Sequence, residues 1–444
     1  MKKICAILAA VLAIVAVSCN KDKGPKIYEV PVQLTDVDGN PIEEEGITVT
    51  LASSDATFEQ QTGPDGSVTF KVPVGVYTVS ASYKKAVDAI MFNYNGSSSI
   101  SVNDTFDGTV SVPMIPSKSS QLIIKEVYNG GCPDNPGTGY YHYDKYIIVY
   151  NNSDAEVDAS KMCLAMAQIM NTQNASQRYE VVDGVLEYDT GDDATSWTPA
   201  SYGIWWFQDG TQVKIAPYSQ IVISISGAVD HTKTYSNSVD LSNADYCLYD
   251  LDSGFNNQTY WYPAPSESIP SSHYMKTYEF GLGTAWAFPM QVAAPFLIMP
   301  ESNIQEFVKN SDNFDNRTYP SLSGNYCKIP VPWVLDALDI WSANDETKFI
   351  YRFPRAVNTG CVVFSTNKKG YTIYRNVDKA ATEAIPENEG KLVYNYSGAV
   401  YEEDTDPSGI DAEASIAAGA KIVYSDTNNS DTDFHVRKVA SIKK

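Results

Sequence analysis

The sequence predicts a mainly β protein, with a small N-terminal β-sandwich followed by a larger β-sandwich domain that carries long insertions. Short segments that alternate apolar and polar residues recur along the chain, as in half-buried strands. Turns rich in Gly, Pro, Asp and Asn separate them at short intervals. The chain has 444 residues, of which 43% are hydrophobic. A plain sandwich needs only about 100 residues, so there is material for two cores.

The N-terminus carries an export signal. Lys2 and Lys3 precede an apolar run over residues 4–17, which is shorter than the roughly 20 residues that a membrane-spanning helix needs. Small residues lead into Cys19, and this pattern resembles the lipobox of bacterial lipoproteins. The resemblance implies removal of the signal peptide 1–18 and lipid attachment at Cys19, with a tether over residues 19–26. The alternative is an ordinary secretory signal.

Charge indicates where the mature protein resides. Asn20-Lys21-Asp22-Lys23 resembles in part the surface-export signal of Bacteroidota lipoproteins, in which a Lys accompanies two acidic residues. This implies a lipid anchor in the outer membrane with the protein facing outside, and the alternative is a flexible polar spacer. The 54 acidic and 32 basic side chains give a formal net charge of −22. Such a chain repels phosphates, which argues against nucleic acid as a partner.

The first domain is predicted over residues 27–116. Segments 28–34 and 47–51 alternate as strands, and Pro64-Asp65-Gly66 is a tight turn. The order of these segments resembles the carboxypeptidase-regulatory-like, transthyretin-type sandwich found at the front of exported proteins. That resemblance implies a scaffold role for Gly66, Gly75 and Tyr77, and no activity. The Pro/Ser composition of residues 113–120 then predicts a linker, placed at 117–120.

The second domain is predicted over residues 121–444. Several of its stretches resemble the strands and turns of a lamin-tail-type β-sandwich: residues 121–128, 144–158, 211–226, 371–375 and 426–434. They extend over about three times the length of a plain sandwich, so the sandwich must carry long insertions. The whole span is also similar to an uncharacterised family of exported Bacteroidota lipoproteins, whose members tend to be associated with TonB-dependent receptors.

The predicted binding residues lie in the insertions, because binding residues concentrate on loops held by a rigid frame. Aromatic side chains beside Asn and Gln suit stacking on sugars or flat chelates. The candidate ligand-binding residues are Trp197, Trp205, Trp206, Tyr260, Trp261, Tyr262 and Trp286. The alternative, favoured for any single residue, is that these rings fill the core.

Catalytic signals are few. The sequence has four histidines and lacks the H-E-x-x-H, G-x-S-x-G and Walker motifs. Five cysteines remain after Cys19, without a C-x-x-C pair or metal-ligand spacing, so they are interpreted as buried positions with one or two disulfides at most. The oxygen-rich segment Asp426–Asp433 lacks the glycine and bidentate glutamate of an EF-hand, and self-bonded turns explain it better than calcium. No catalytic residue, metal or cofactor is predicted.

The leading hypothesis is a non-enzymatic accessory lipoprotein of a TonB-dependent uptake system. It is anchored to the membrane by lipid, and it captures an unknown extracellular ligand for a receptor. A structural or adhesive surface protein is the first alternative. A secreted hydrolase is the second, because lamin-tail-type modules also accompany exported nucleases and phosphatases.

Overall fold

The computed structural model describes residues 26–443, apart from 54–55, 88–89, 119, 136, 168–178, 183–184, 190–195, 256–262, 281–284, 287, 316–325 and 342–348. Strands dominate these residues, and the helices are short, which confirms the mainly β prediction. In this described part, no helix has the length and apolar composition to cross a membrane.

In the part of the chain that the structure describes, eight strands form an N-terminal unit. They are β1 (Ile27–Thr35), β2 (Thr48–Ala52), β3 (Thr57–Gln61), β4 (Ser67–Pro73), β5 (Gly75–Val87), β6 (Ile90–Val102), β7 (Val110–Pro113) and β8 (Ile115–Lys118). One sheet has the order β4-β1-β7 and the other β3-β2-β5-β6-β8. Alternate residues of both sheets, among them Val32, Val49, Phe70 and Val79, bury one shared core. The alternation seen in the sequence therefore marks the inward face of each sheet.

Two predicted scaffold residues have identifiable roles in this unit. Gly66 has φ +71°, and a Cβ there would lie 1.6 Å from the carbonyl oxygen of Ile42. Only glycine fits such a position. The Tyr77 side chain is buried, and its hydroxyl donates to the Pro73 carbonyl at 3.0 Å.

The linker prediction needs correction. Ser117 and Lys118 belong to β8, in register with Asn93 and Phe92 of β6. Proline and serine are compatible with an edge strand, because an edge strand leaves one side of its backbone unpaired. Only residues 119–121 separate β8 from the next strand.

The remaining strands form the large unit. They are β9 (Leu122–Tyr128), β10 (Cys132–Pro133), β11 (Tyr140–Tyr141), β12 (Tyr146–Asn151), β13 (Val157–Asp158), β14 (Cys163–Met166), β15 (Glu180–Val182), β16 (Val185–Glu187), β17 (Trp197–Ala200), β18 (Trp205–Trp206), β19 (Lys214–Ile215), β20 (Gln220–Ser224), β21 (Tyr246–Leu248), β22 (Tyr274–Thr277), β23 (Pro295–Ile298), β24 (Phe314–Asp315), β25 (Tyr326–Pro330), β26 (Val334–Ala337), β27 (Ile340–Trp341), β28 (Ile350–Tyr351), β29 (Val362–Val363), β30 (Thr372–Arg375) and β31 (Phe434–Arg437).

In the described residues, short α-helices accompany these strands: α1 (Ile304–Phe307), α2 (Lys379–Glu383), α3 (Ala412–Ala417) and α4 (Ser430–Asp433). Single turns of 3-10 helix lie at His231–Lys233, Ser271–His273, Ser311–Asn313, Val331–Trp333 and Pro386–Asn388.

An eleven-stranded sheet organises the large unit. Its order is β26-β23-β14-β18-β22-β21-β20-β12-β9-β30-β31, and it curls into a half-barrel. Every residue of β9 and β12 is buried, because both faces of the sheet are covered. The strands predicted at the start and at the end of the large sandwich lie side by side in the sheet. β9 pairs with both β12 and β30, and β30 pairs with β31. The predicted insertions contribute strands to this same sheet, among them β14, β18, β22 and β23, and other strands of theirs form small separate sheets.

Buried charges tie the sheet together. The Arg375 guanidinium pairs with Asp336, and its Nε donates to the Ile124 carbonyl at 2.7 Å. Arg352 pairs with Asp339, and Lys125 with Glu413 at 2.7 Å. All three cations are almost fully buried. A buried charge needs such partners to offset the loss of hydration.

Candidate functional site

Three of the four predicted binding aromatics that the structure describes lie in the core, as the core-filling alternative predicts: Trp197, Trp205 and Trp286. Trp205 is 0% and Trp286 1% exposed, and their rings meet edge to face at a centroid distance of 6.3 Å. Trp197 is buried on β17. A side chain without accessible surface has no face to offer a ligand, so these rings contribute packing. Tyr260, Trp261 and Tyr262 lie outside the described residues, and their assignment stays a prediction.

Trp206 differs from the other buried tryptophans because it reaches a surface cleft. This residue is 9% exposed, and its buried part belongs to a hydrophobic core cluster that includes Phe296 and Ile298. The cleft has a volume of about 370 Å³. It is lined by Ser160, Lys161, Trp206, Phe207, Asp209, Pro300, Glu301, Ser302, Asn303, Ile304 and Gln305.

Strand pairing explains why these distant segments meet. β14 lies between β18 and β23 and is antiparallel to both, with Cys163 opposite Trp206 on one side and Ile298 on the other. The start of β14 therefore lies beside the ends of β18 and β23. The residues just outside these three ends form the cleft, at one margin of the large sheet.

Hydrogen bonds fix the polar wall of the cleft. The Gln305 amide donates to Asp209 Oδ1 at 3.0 Å. Asn303 caps helix α1, because its Oδ1 accepts from the backbone N–H of Gln305 at 2.9 Å. Ser160 Oγ accepts from the Val213 N–H at 2.9 Å. The cleft thus combines a positioned aromatic edge with carboxylates, amides, hydroxyls and the Lys161 amine.

Sequence reasoning identified Trp206 and missed the rest of the cleft. Asp209, Glu301 and Asn303 are exposed polar residues in loops, and such residues carry no pattern that separates them from other solvated loop residues. The neighbouring Trp-Trp pair was a usable signal, but it did not show which ring faces out. In β18 successive side chains point to opposite sides, and this places Trp205 inside and Trp206 at the cleft.

A second pocket, of about 320 Å³, contains acidic side chains. Its carboxylates are Glu403, Asp404 and Asp431, beside Tyr401 and Phe434. Burial, followed by the charges of Asp431 and Glu403, raises the pKa of Asp404 to about 6. In the described residues, no group of three or more His, Cys, Asp or Glu side chains has a geometry that would hold a metal ion.

Three of the histidines, His231, His273 and His435, make structural contacts. His231 bonds to Tyr141 at 2.8 Å and to the Gly227 carbonyl at 2.5 Å. His435 bonds to Asn376 at 2.6 Å and to Tyr396 at 2.7 Å. Burial, and then the charge of Arg437, lowers the pKa of His435 to about 3. His273 Nδ1 lies 2.7 Å from the Asp245 carbonyl oxygen. These contacts pair the rings with amide, carbonyl and phenol groups instead of with a nucleophile.

The four buried cysteines among the described residues carry free thiols. Cys132, Cys163, Cys247 and Cys327 are buried, and Cys361 is partly exposed. Burial raises the pKa of both Cys132 and Cys247 to about 12, and it also raises the pKa of Cys163 and Cys327. A thiol with a raised pKa is protonated at neutral pH and a poor nucleophile.

The segment Asp426–Asp433 uses its oxygens within the protein. Asp433 accepts hydrogen bonds from the Thr427 N–H and hydroxyl, both at 2.8 Å. Arg375 Nη1 lies 3.6 Å from Asp433 and 3.8 Å from Asp426. These carboxylates therefore neutralise a buried arginine and fold their own loop.

Comparison with known proteins gives a family match over part of the chain. Residues 216–408 match the family described as "Protein of unknown function (DUF4876)". No curated protein matches the chain.

Among solved structures, the chain is similar to a DUF4876 family protein from Bacteroides thetaiotaomicron VPI-5482. The identity is 20% and the TM-score 0.51, covering 92% of this chain and 94% of that chain. At this identity the likeness concerns the fold alone. A streptococcal ancillary pilin shares 11% identity at a TM-score of 0.16, covering 43% of this chain and 58% of that chain. BcpA, the major pilin subunit of Bacillus cereus, shares 11% identity at a TM-score of 0.15, covering 73% of this chain and 98% of that chain. These two likenesses carry no argument.

Proposed function

We propose that this chain, which matches the DUF4876 family over residues 216–408, is a lipoprotein of the outer membrane that faces outside and captures a ligand without transforming it. The lipobox-like segment before Cys19 supports the anchor. The charged residues after Cys19 and the acidic surface support export. The order of the N-terminal strands supports a regulatory-like sandwich, and the β9–β12–β30–β31 neighbourhood supports a lamin-tail-like frame.

The observation that carries the binding part of this proposal is the composition of the Trp206 cleft. Its polar groups are carboxylates, amides, hydroxyls and one amine, and its apolar part is an aromatic edge. Among the residues that line it, no histidine or cysteine stands beside a hydroxyl. Such a set binds and orients a ligand, but it offers no activated nucleophile.

The ligand class that suits the cleft is a neutral oligosaccharide. A sugar presents hydroxyl groups that both donate and accept, and these match Asp209, Glu301 and Asn303. Its C–H groups can contact the exposed edge of Trp206. The cleft volume, about 370 Å³, lies within the range of roughly 300–1,000 Å³ usual for small-ligand sites.

The partner in this proposal is a TonB-dependent receptor of the same membrane. The resemblance to exported Bacteroidota lipoproteins supports it, because members of that group accompany such receptors. The captured sugar would be passed to the receptor for import, so the lipoprotein itself needs affinity and no catalytic group.

Binding of purified protein to an array of neutral oligosaccharides tests the ligand class. A double variant, Asp209→Ala with Glu301→Ala, should weaken binding about tenfold or more, because hydrogen bonds to charged groups contribute roughly 1.5–3 kcal/mol each. The matched control removes two exposed acids elsewhere, Asp252→Ala with Glu267→Ala, and should bind like wild type. Equal binding by all three proteins, or binding of none of the sugars by wild type, would contradict the proposed site.

A further inference from the structure

The outward face of strand β6 carries an unexpected burial pattern. Tyr94, Ile100 and Val102 contact the core of the N-terminal unit. Side chains alternate along a strand, so the odd-numbered residues from 93 to 101 point away from that core. On this face Ser97, Ser99 and Ser101 are exposed, as expected of an outer sheet surface.

Asn93 and Asn95 break this expectation. Asn93 is 0% and Asn95 3% exposed, although both lie on the same outward face as the exposed serines. The N-terminal core cannot cover them, because it lies on the opposite side of the sheet. Another part of the chain must therefore pack on this end of the hairpin β5–β6.

The large unit supplies the cover at Asn95. The Asn95 side-chain amide donates to the Thr427 carbonyl. Ser97 and Ser99 face Arg355 and Thr359 across a small cavity of about 60 Å³, enough for a few waters. The contact is thus polar and lies between the outer sheet face of one unit and two loops of the other.

These two loops are joined to each other. The Thr359 N–H donates to the Asn428 carbonyl at 2.9 Å, and the Ser430 hydroxyl donates to Asn358 Oδ1 at 2.8 Å. Thr427 also donates to Asp433, which lies 3.6 Å from the buried Arg375. Arg375 reaches β9 through the Ile124 carbonyl. The loops that receive Asn95 are therefore connected to the central sheet.

We infer that the N-terminal unit is a rigid mount docked on the large unit through Asn95 and the adjoining outward face of β6, and not a flexible spacer. Residues 119–121 reinforce this arrangement, since three residues span at most about 10 Å. Strand β1, the first described strand after the proposed tether, thereby has a fixed orientation relative to the large unit and its Trp206 cleft. This inference is independent of which ligand binds.

Small-angle X-ray scattering of the soluble Cys19→Ala chain tests the docking. Asn95→Asp places a carboxylate against the Thr427 carbonyl, two acceptors without a proton between them, and this should separate the units. The radius of gyration should rise, while tryptophan fluorescence, which reports only the large unit, stays unchanged. Ser101→Asp adds the same charge at the exposed end of the same face and should leave the scattering profile unchanged.

An Asn95→Asp profile identical to wild type, with both units folded, would overturn the inference. A wild-type profile that requires many relative orientations of the two units would overturn it as well. If circular dichroism shows that Asn95→Asp unfolds the N-terminal unit, Asn95→Ala removes the donor without adding charge. For Asn95→Ala, a raised radius of gyration then supports the docking, and a profile identical to wild type overturns it.

Discussion

Truncation of Trp205 separates the packing role of this residue from a binding role. The side chain is fully buried in the hydrophobic core of the large unit, together with residues such as Ile147 and Ile223, and it meets Trp286 edge to face. Burial of roughly 200 Å² of aromatic surface, at about 25 cal/mol per Å², gives about 5 kcal/mol as an upper value. Buried Trp-to-Ala changes cost about 3–5 kcal/mol. We expect Trp205→Ala to lower the free energy of unfolding by that amount.

Urea unfolding followed by tryptophan fluorescence measures this effect selectively. All seven tryptophans lie between residues 197 and 341, so the signal reports the large unit alone. The exposed-site control Asp209→Ala should change stability by no more than about 0.5 kcal/mol. If Trp205→Ala instead kept its stability within about 1 kcal/mol of wild type and lost sugar binding, the packing assignment of Trp205 would be wrong.

Three further predictions concern titration, thiols and the anchor. His435 has a pKa of about 3 in the fold and about 6.5 in the unfolded chain. Only the unfolded chain therefore takes up this proton as the pH falls below about 6.5, and stability should fall by up to about 1.4 kcal/mol per pH unit. Between pH 6.5 and pH 4.5 the urea midpoint should fall less for His435→Gln than for wild type. An equal fall in both proteins would contradict the low pKa of His435 in the fold. Alkylation of the folded protein should modify Cys361 alone among the five described cysteines, as judged by peptide mass, and labelling of Cys163 before unfolding would refute the buried core. Cys19→Ala should abolish incorporation of labelled palmitate, whereas unchanged labelling would exclude Cys19 as the lipid site.

The sequence allowed the N-terminal strands to be predicted because their pattern is local. Alternation over residues 28–34 and 47–51 corresponds to one buried face and one partly exposed face in β1 and β2. The tight turn at Gly66 requires a positive φ, which Gly supplies. Each of these signals depends on near neighbours in the chain.

The architecture of the large unit could not be predicted in the same way, because it depends on pairing between distant segments. β14 pairs with both β18 and β23, and these strands come from parts of the sequence that were interpreted as insertions. Strands buried on both faces show no alternation that would give their orientation. The sequence therefore could not show that Trp205 and Trp286 point into the core while Trp206 borders a cleft.

Buried charges limited prediction for a related reason. Lys125 and Arg375 sit inside strands, yet both are almost fully buried. Their partners Glu413 and Asp336 are distant in sequence. The sequence of a single strand therefore does not show that its buried cation is paired with a carboxylate. The same holds for Asn95, whose partner Thr427 lies in the other unit.

The central claim combines display outside the cell with ligand capture, and one measurement on intact cells tests both. Cells producing the wild-type lipoprotein are incubated with a panel of fluorescent neutral oligosaccharides and counted by flow cytometry. The proposal predicts labelling of these cells by at least one sugar. It also predicts loss of that labelling with Asp209→Ala plus Glu301→Ala, at equal protein level, and retention with Asp252→Ala plus Glu267→Ala. Equal labelling of wild-type cells and of cells lacking the protein would contradict capture at the surface.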